Sequence, residues 1–370
     1  MPKIVINERD YTSPIDKVLL ENIVYIPGKK KADAAVNAPT LPVLCKSVKE
    51  FEDTFGTFID DTEISKTIAL KLLNKGLYVL YELVADTENL TGVFDKLEDK
   101  MLYEVRFITA GGHCKTTLYA EMATVCKNRG DCVALLDVEG KDNTPANDTI
   151  KGALETAFKD KEDLGSFAAL FSPWCTFGED LLPGSVAYLL AYADAVKSYP
   201  TWFASAGVVR GTIADITSLK TVYGQKDIDV LQPKTNGYAC NTICNIRNYG
   251  IKVWGNRTCL PIGEKLKATN FLNVRQLIIE LKKTLYNSSI VSTFEQNSDV
   301  LWINFKNLIT PLLDRMLSGQ GINGYKITKI DTDEKATLKA KIRIIPIEGV
   351  EYFDLTVELT DSLEVEVTEE

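Results

Sequence analysis

YEVRFITAGGHCKTTLYAEMATVCKNRGDCVALLD, residues 103–137, reads as strand (103–109), glycine turn, helix (116–129) and strand (132–137). The alternation continues with a helix over 149–158, a strand over 166–172 and a helix over 185–196. Strands separated by helices of ten to fourteen residues indicate βαβ units and a mainly parallel sheet. Toward the N-terminus, residues 1–20 read as an extended arm with a short alternating run, Lys3-Ile4-Val5-Ile6. An apolar stretch then ends at Pro27-Gly28, and strands follow at 42–45 and 77–84. Between them Ser47 and Glu50 make a capping box for a short helix through Phe51, and a helix over 67–74 stops at Gly76.

Toward the C-terminus, residues 200–270 are rich in Gly, Asn and Pro, with short strands. Two firm helices follow. Residues 274–286 carry the stripe Leu277, Ile278, Leu281, Leu285, and residues 300–317 carry Leu301, Phe305, Leu308, Ile309, Leu312, Leu313. The chain ends in strands at 324–330, 336–345, 350–359 and 363–368. In the last, Leu363, Val365 and Val367 alternate with Glu364 and Glu366, so one face is apolar and the other acidic.

At 370 residues, 45% hydrophobic and 25% charged, the chain is long enough for two or three packed domains and is neither disordered nor fibrous. Its start has no apolar h-region and no stretch approaches a membrane span, which leads us to expect a soluble protein without stable membrane contact. A net charge of -9 argues against nucleic acid as the main partner. The charge is uneven: residues 351–370 hold eight acids and no Lys or Arg, whereas 252–343 hold fifteen Lys and Arg against eight acids. Ordinary solvated surface accounts for this as well as an interface does. The eight cysteines are expected to be reduced and largely buried. The Cys240/Cys244 pair lacks the second pair a zinc site needs, so no metal is expected.

Chemistry finds little purchase. In Thr109-Ala110-Gly111-Gly112-His113-Cys114-Lys115-Thr116, Thr109 and Cys114 stand where a phosphate loop needs glycines, so a tight turn feeding a helix is the better reading. His113 is the single histidine, and no Gly-x-Ser-x-Gly elbow exists, which leaves a Ser-His-Asp or Cys-His arrangement without parts. No catalytic residue, metal site or cofactor is expected. The aromatic and glycine clusters near Trp174, Trp202 and Trp254 carry no titratable group at their centre and read as core anchors.

The order of those clusters resembles the contractile tail sheath family of phages and phage-tail-like bacteriocins. The marks are Ser172-Pro173-Trp174, Pro183-Gly184-Ser185, Trp202 through Ala206-Gly207-Val208-Val209-Arg210-Gly211, Trp254-Gly255-Asn256-Arg257-Thr258, Asn273-Val274-Arg275-Gln276 and Phe294-Glu295-Gln296-Asn297. Ile26-Pro27-Gly28 and the segment from Phe51 to Gly56 look like the family's opening. Asn256 departs from a common Ala, and Gln276 from a common second Arg.

The resemblance implies an α/β and α+β multidomain chain. Its parts would be an N-terminal arm (1–20), a β-rich domain (21–95), a central subtilisin-like α/β domain without a catalytic triad (96–250), a C-terminal α+β domain (251–355) and a C-terminal arm (356–370). It further implies a structural protein of a phage or bacteriocin particle tail, assembled in the host bacterial cytoplasm. That protein polymerises, in six starts, into a helical sheath around a tail tube protein, meets baseplate and tail terminator proteins, and contracts to drive the tube through an envelope. Both arms would join sheets of adjacent subunits. Ile4 and Ile6, and Leu363, Val365 and Val367, are then the candidates for inserted strands. Lys339, Lys341 and Arg343, alternating along one strand, are candidates to meet Glu364 and Glu366, and Arg275, Lys282 and Lys283 are candidates to face the tube. The rival readings are a hydrolase or phosphate-binding enzyme on the central domain, and a static tube or capsid-type shell, which needs no arms.

Overall fold

The computed structural model describes residues 22–32, 38–139, 144–161, 163–291, 293–330, 337–349 and 351. Its spine is an eight-stranded sheet. The strands are β1 (Ile23–Lys29), β2 (Val43–Cys45), β3 (Tyr78–Val84), β4 (Phe107–Ile108), β5 (Val133–Asp137), β6 (Ala168–Ser172), β10 (Asn241–Ile246) and β11 (Gly250–Trp254). Their spatial order is β11-β10-β6-β5-β4-β1-β3-β2. The six central strands are parallel, and each edge carries one antiparallel strand: β11 pairs with β10, and β2 with β3.

Helices cover both faces. On one side lie α3 (Tyr119–Arg129) and α4 (Asn147–Phe158); on the other lie α1 (Val48–Phe55), α2 (Ile64–Asn74) and α5 (Gly184–Ala195). This explains why CVALL (132–136) is continuously apolar: Ala134 and Leu136 enter one core while Val133 and Leu135 enter the other. Local signals set the element ends. Ser47 Oγ accepts from the Glu50 amide at 3.2 Å, although the Glu50 carboxylate reaches back to the amide of Lys46 and not to that of Ser47. Gly130, at φ 73, ends α3 in the left-handed conformation.

The expected partition needs correction at two places. Residues 21–95 are not a separate β-rich domain: β1 sits inside the sheet between β3 and β4, so the boundary at 95 divides one hydrogen-bonded unit. The boundary at 250 likewise cuts the β10–β11 hairpin, whose register runs from Ile246↔Gly250 to Thr242↔Trp254. Parallel partners are distant in sequence, and β1 satisfies its backbone only with strands that follow it by some fifty and eighty residues.

Smaller elements decorate the sheet: β7 (Cys175–Phe177), β8 (Asp180–Leu182) and β9 (Ser218–Leu219) form a three-stranded sheet, and α6 (Gly207–Arg210) and α7 (Gln225–Leu231) are short helices. Two long helices, α8 (Leu272–Val291) and α9 (Asp299–Ser318), and a two-stranded ribbon of β12 (Ile322–Ile330) and β13 (Lys339–Pro346) complete the described chain. They close their own core, Leu277, Leu281, Ile309, Leu312, Leu313 and Met316 around Trp202. Leu308, expected on the core face of α9, is 49% exposed. Among the described residues, no helix is long and apolar enough to cross a membrane. The arm positions Ile4, Ile6, Leu363, Glu364, Val365, Glu366 and Val367 lie outside the described residues.

Candidate assembly surface

In open parallel sheets ligands collect at the carboxyl ends of the strands. Here that crevice is filled. Asp137, the last residue of β5 and 2% exposed, accepts the Ser185 amide on Oδ1 and the Ser185 hydroxyl on Oδ2, both at 2.7 Å. Ser185 is the second residue of α5, whose Pro183 N-cap offers no side-chain acceptor, so the carboxyl group caps the helix from across the core. Burial pushes Asp137 up to about 7, with the two Ser185 hydrogen bonds pulling the other way. Tyr119 and Trp174 seal the place by donating to the carbonyls of Asp137 and Val138. His113 instead sits 2.7 Å from Glu63 at the head of α2.

The glycine turn is equally occupied. Gly111 has φ 61, and a Cβ there would stand 2.2 Å from the Pro27 carbonyl, so no other residue fits. Lys115 donates to the carbonyl and carboxylate of Glu88 at 2.7 and 2.8 Å, and the Thr116 amide donates to Glu139. The donors a phosphate would use are engaged by the protein itself. All eight cysteines are buried free thiols, and among the described residues no three metal-ligating side chains converge.

An open hydrogen-bonding surface lies on the ribbon. Among the described residues β12 and β13 pair only with each other, which leaves an edge of each strand open. Lys339, Lys341 and Arg343 project from the exposed face of β13 opposite Ile330, Thr328 and Lys326. Ile342 and Ile344 turn inward with Tyr325 and Ile327. Beside β13 runs a groove of about 470 Å³ with Leu285, Leu301, Phe305, Leu338, Ala340 and Ile342 in its wall. The ribbon therefore offers a basic outer face, an inner groove in which Ser289, Thr293, Glu295 and Asn297 stand beside the apolar residues, and unpaired backbone between them.

Of the three expected tube-facing cations, the structure corrects two. Arg275 is 5% exposed, stacks 4.1 Å from the Phe167 ring centroid and donates to Ser166 Oγ at 2.6 Å; burial lowers it to about 10. Lys283 is also 5% exposed, held 3.4 Å from Glu104 and pulled below the lysine range by burial. Only Lys282 is exposed. The cause is the position of α8, which runs between the large sheet and α9, so its first turns are covered on all sides.

Three groups of residues escaped sequence reading. Arg106, 0% exposed, donates from Nε to Gln276 at 2.8 Å and from Nη1 to Glu280 at 2.9 Å, tying β4 to α8. Gln276, a departure from the family pattern, is thus an acceptor for a cation, where an arginine would oppose one. Asn256 donates from Nδ2 to Asn273 Oδ1 at 2.7 Å, and the Asn256 side-chain Oδ1 accepts the Asn273 backbone amide at 3.1 Å, fastening the head of α8. Arg257 pairs with Glu351. The one available signal was the polar spacing Gln276, Glu280, Lys283 on a helix already bearing an apolar stripe.

No protein-family model matches the chain. Over 180 residues, 47% of its length, it is 24% identical to the tail sheath protein of Vibrio phage KVP40, and the match takes in 26% of that longer protein. Solved structures agree over nearly the whole chain. A chain of the anti-feeding prophage baseplate superposes with a TM-score of 0.71 at 15% identity, covering 97% of this chain and 99% of its own. The sheath complex of an extracellular contractile injection system, PVC, in its contracted state gives 0.69 at 16% identity, covering 98% of both chains. The contracted helical sheath of the anti-feeding prophage gives 0.68 at 16% identity, over 96% of this chain and 98% of that one. The chain has the mixed α/β fold of contractile sheath proteins.

Proposed function

We propose that this chain is the repeating subunit of a contractile sheath, with a structural and not an enzymatic role. The observation that carries the proposal is the likeness of 98% of the chain to a contracted sheath complex. The central sheet, with helices on both faces and its strand ends filled, is the counterpart of the subtilisin-like domain the resemblance implies, here without a triad. The particle would be a phage tail or a phage-tail-like injection device assembled in a bacterial cytoplasm. Its other partners would be a tail tube, a baseplate and a terminator. Six starts fit a relative solved in a sixfold-symmetrised baseplate. Lys282, alone of the three expected cations, remains the candidate to face the tube.

The ribbon supplies the linkage. A strand added to an open edge gains main-chain hydrogen bonds at little cost in specificity, and alternate side chains then read the two faces. A strand of residues 363–367 laid along β13 turns Leu363, Val365 and Val367 toward the groove and Glu364 and Glu366 toward Lys339, Lys341 and Arg343. The arm with Ile4 and Ile6 takes the second edge. A head-to-tail contact of this kind propagates as a helix instead of closing. Contraction needs no nucleotide here: the energy resides in a metastable lattice that repacks.

The test is negative-stain electron microscopy of the purified chain across a concentration series. Hollow striated cylinders are expected from the full chain and none from a chain lacking residues 361–370, which stays a folded monomer. Reversing the ribbon charges (K341E with R343E) should abolish cylinders, and adding E364K with E366K should restore them. Normal cylinders from the truncated chain overturn the arm reading.

A further inference from the structure

The turn at Gly130, the segment leading into β4 and the middle of α8 enclose a surface cavity of about 350 Å³. Its wall carries four cations, Lys100, Arg129, Lys282 and Lys283, against two acids, Glu104 and Asp131. The acids do not balance them. Asp131 is engaged by Arg129, which donates from Nε at 2.9 Å and from Nη2 at 3.1 Å to its two oxygens. Glu104, itself exposed, is left to serve three lysines. Lys283 reaches it only at 3.4 Å, and among the described residues neither Lys100 nor Lys282 has an acid within ion-pair distance.

We propose that this cavity binds a small dianionic oxyanion of the phosphate class, held by Lys282 and Lys283 from α8 and by Lys100 from the segment before β4. Three observations carry this. Lys283 is 5% exposed, and its ammonium has three donors for one distant acceptor; a buried charge so short of partners calls for a counter-ion. Lys282 brings its Nζ to the turn: a Cβ on Gly130 would stand 3.0 Å from it, and φ 73 favours glycine there in any case. Partial burial, then the charges of Arg275 and Lys100, pull Lys282 below the ordinary lysine range, and an anion relieves that repulsion. Tyr286 and Asn287, one turn beyond Lys282 and Lys283, add a hydroxyl and an amide to the wall.

The donor set selects the class of ion. A flat carboxylate is satisfied by one guanidinium fork, and the fork here, on Arg129, is already closed on Asp131. What remains are separate ammonium groups from two stretches of chain, point charges that suit an ion with oxygens on several sides. A cavity of this size falls in the range that takes small organic ligands, so the phosphate can arrive free or as a monoester. Such a site would exist whether or not the chain builds a sheath.

Phosphorus NMR titration of inorganic phosphate with the full chain, in chloride at constant ionic strength, tests the site. Saturable binding at one ion per chain is expected, with a Kd on the order of 1 mM. Lys282→Ala and Lys283→Gln should each weaken it about tenfold, the loss of one charge-assisted hydrogen bond. Glu104→Gln, which releases Lys283 from its acid, should tighten it instead, an effect that general surface charge would not single out. Unfolding midpoints in phosphate-free buffer report whether each variant is folded, and the exposed Lys282 and Glu104 carry the test even where Lys283→Gln fails to fold. Glycerol phosphate bound more tightly than inorganic phosphate identifies a monoester as the ligand; equal or weaker binding identifies the free ion. Phosphate held no better than chloride, an affinity unmoved by Lys282→Ala, or displacement of phosphate by an equal concentration of glutarate, a dicarboxylate, overturns the proposal.

Discussion

Replacing Asp137 with Asn should change how stability depends on pH more than it changes stability itself. An aspartate in the unfolded chain titrates near 3.9, whereas in the fold burial holds this one up to about 7. A carboxyl group with a raised folded pKa makes the folded state the tighter proton binder. Its favourable contribution is complete below the unfolded value and is lost as pH rises through about 7. The full span, about three pH units at 1.36 kcal/mol each, is ~4 kcal/mol, and the part falling between pH 5 and pH 8 is ~2.6 kcal/mol. Asn keeps an acceptor for the Ser185 amide and offers its NH₂ to the Ser185 hydroxyl, so the cap survives while the titration disappears. The assay is urea unfolding of both chains, followed by circular dichroism at pH 5, 6, 7 and 8. Groups that titrate alike in both proteins cancel in the difference. Asn should gain on Asp by about 2–3 kcal/mol from pH 5 to pH 8, with an unchanged m-value. A pH-independent difference would refute the reasoning. Asn losing ground as pH rises would show that the two Ser185 hydrogen bonds outweigh burial and keep the carboxylate ionised.

Other expectations follow from the same packing. Gly321→Ala would push a Cβ to 3.0 Å from the Trp202 ring and should cost about 1–3 kcal/mol in urea unfolding, whereas Gly263→Ala, with open space around it, should leave the midpoint unchanged. Glu280→Gln leaves Arg106 without its carboxylate at full burial and should cost ~3–5 kcal/mol, measured in the same way. Gln276→Arg sets a second guanidinium against Arg106 and should destabilise by ~3 kcal/mol or more, while Lys282→Glu on the same helix should leave the unfolding midpoint within about 0.5 kcal/mol. Asn256→Ala removes the amide pair with Asn273 and should cost about 1–2 kcal/mol.

Local signals carried the elements well. The glycine at 130, the serine at 47 and the run 132–137 each act within a turn or a strand, and their outcome is visible in the residues that surround them. Strand order is a different kind of information. That β1 lies between β3 and β4 depends on pairing across long stretches, and β4 itself is paired over only Phe107 and Ile108 where the residue pattern indicated seven. The site was hardest to read where a helix is covered on every side. The stripe Leu277, Ile278, Leu281 identifies the helix, but a stripe says nothing of whether the opposite face is wet, so sequence alone places Arg275 and Lys283 at the surface. On the ribbon Lys339, Lys341 and Arg343 are exposed while Ile342 and Ile344 are half-buried, and Ala340 and Ile345 are exposed as well.

The buried belt on α8 has a mechanical meaning. Apolar contacts tolerate slippage, since one methyl replaces another, but the fork of Arg106 on Gln276 and Glu280 fits at one rotation and one height only. A turn of sliding would strand a cation without its acid. Helix α8 is thereby keyed to the large sheet at a single rotation and height, like a splined shaft.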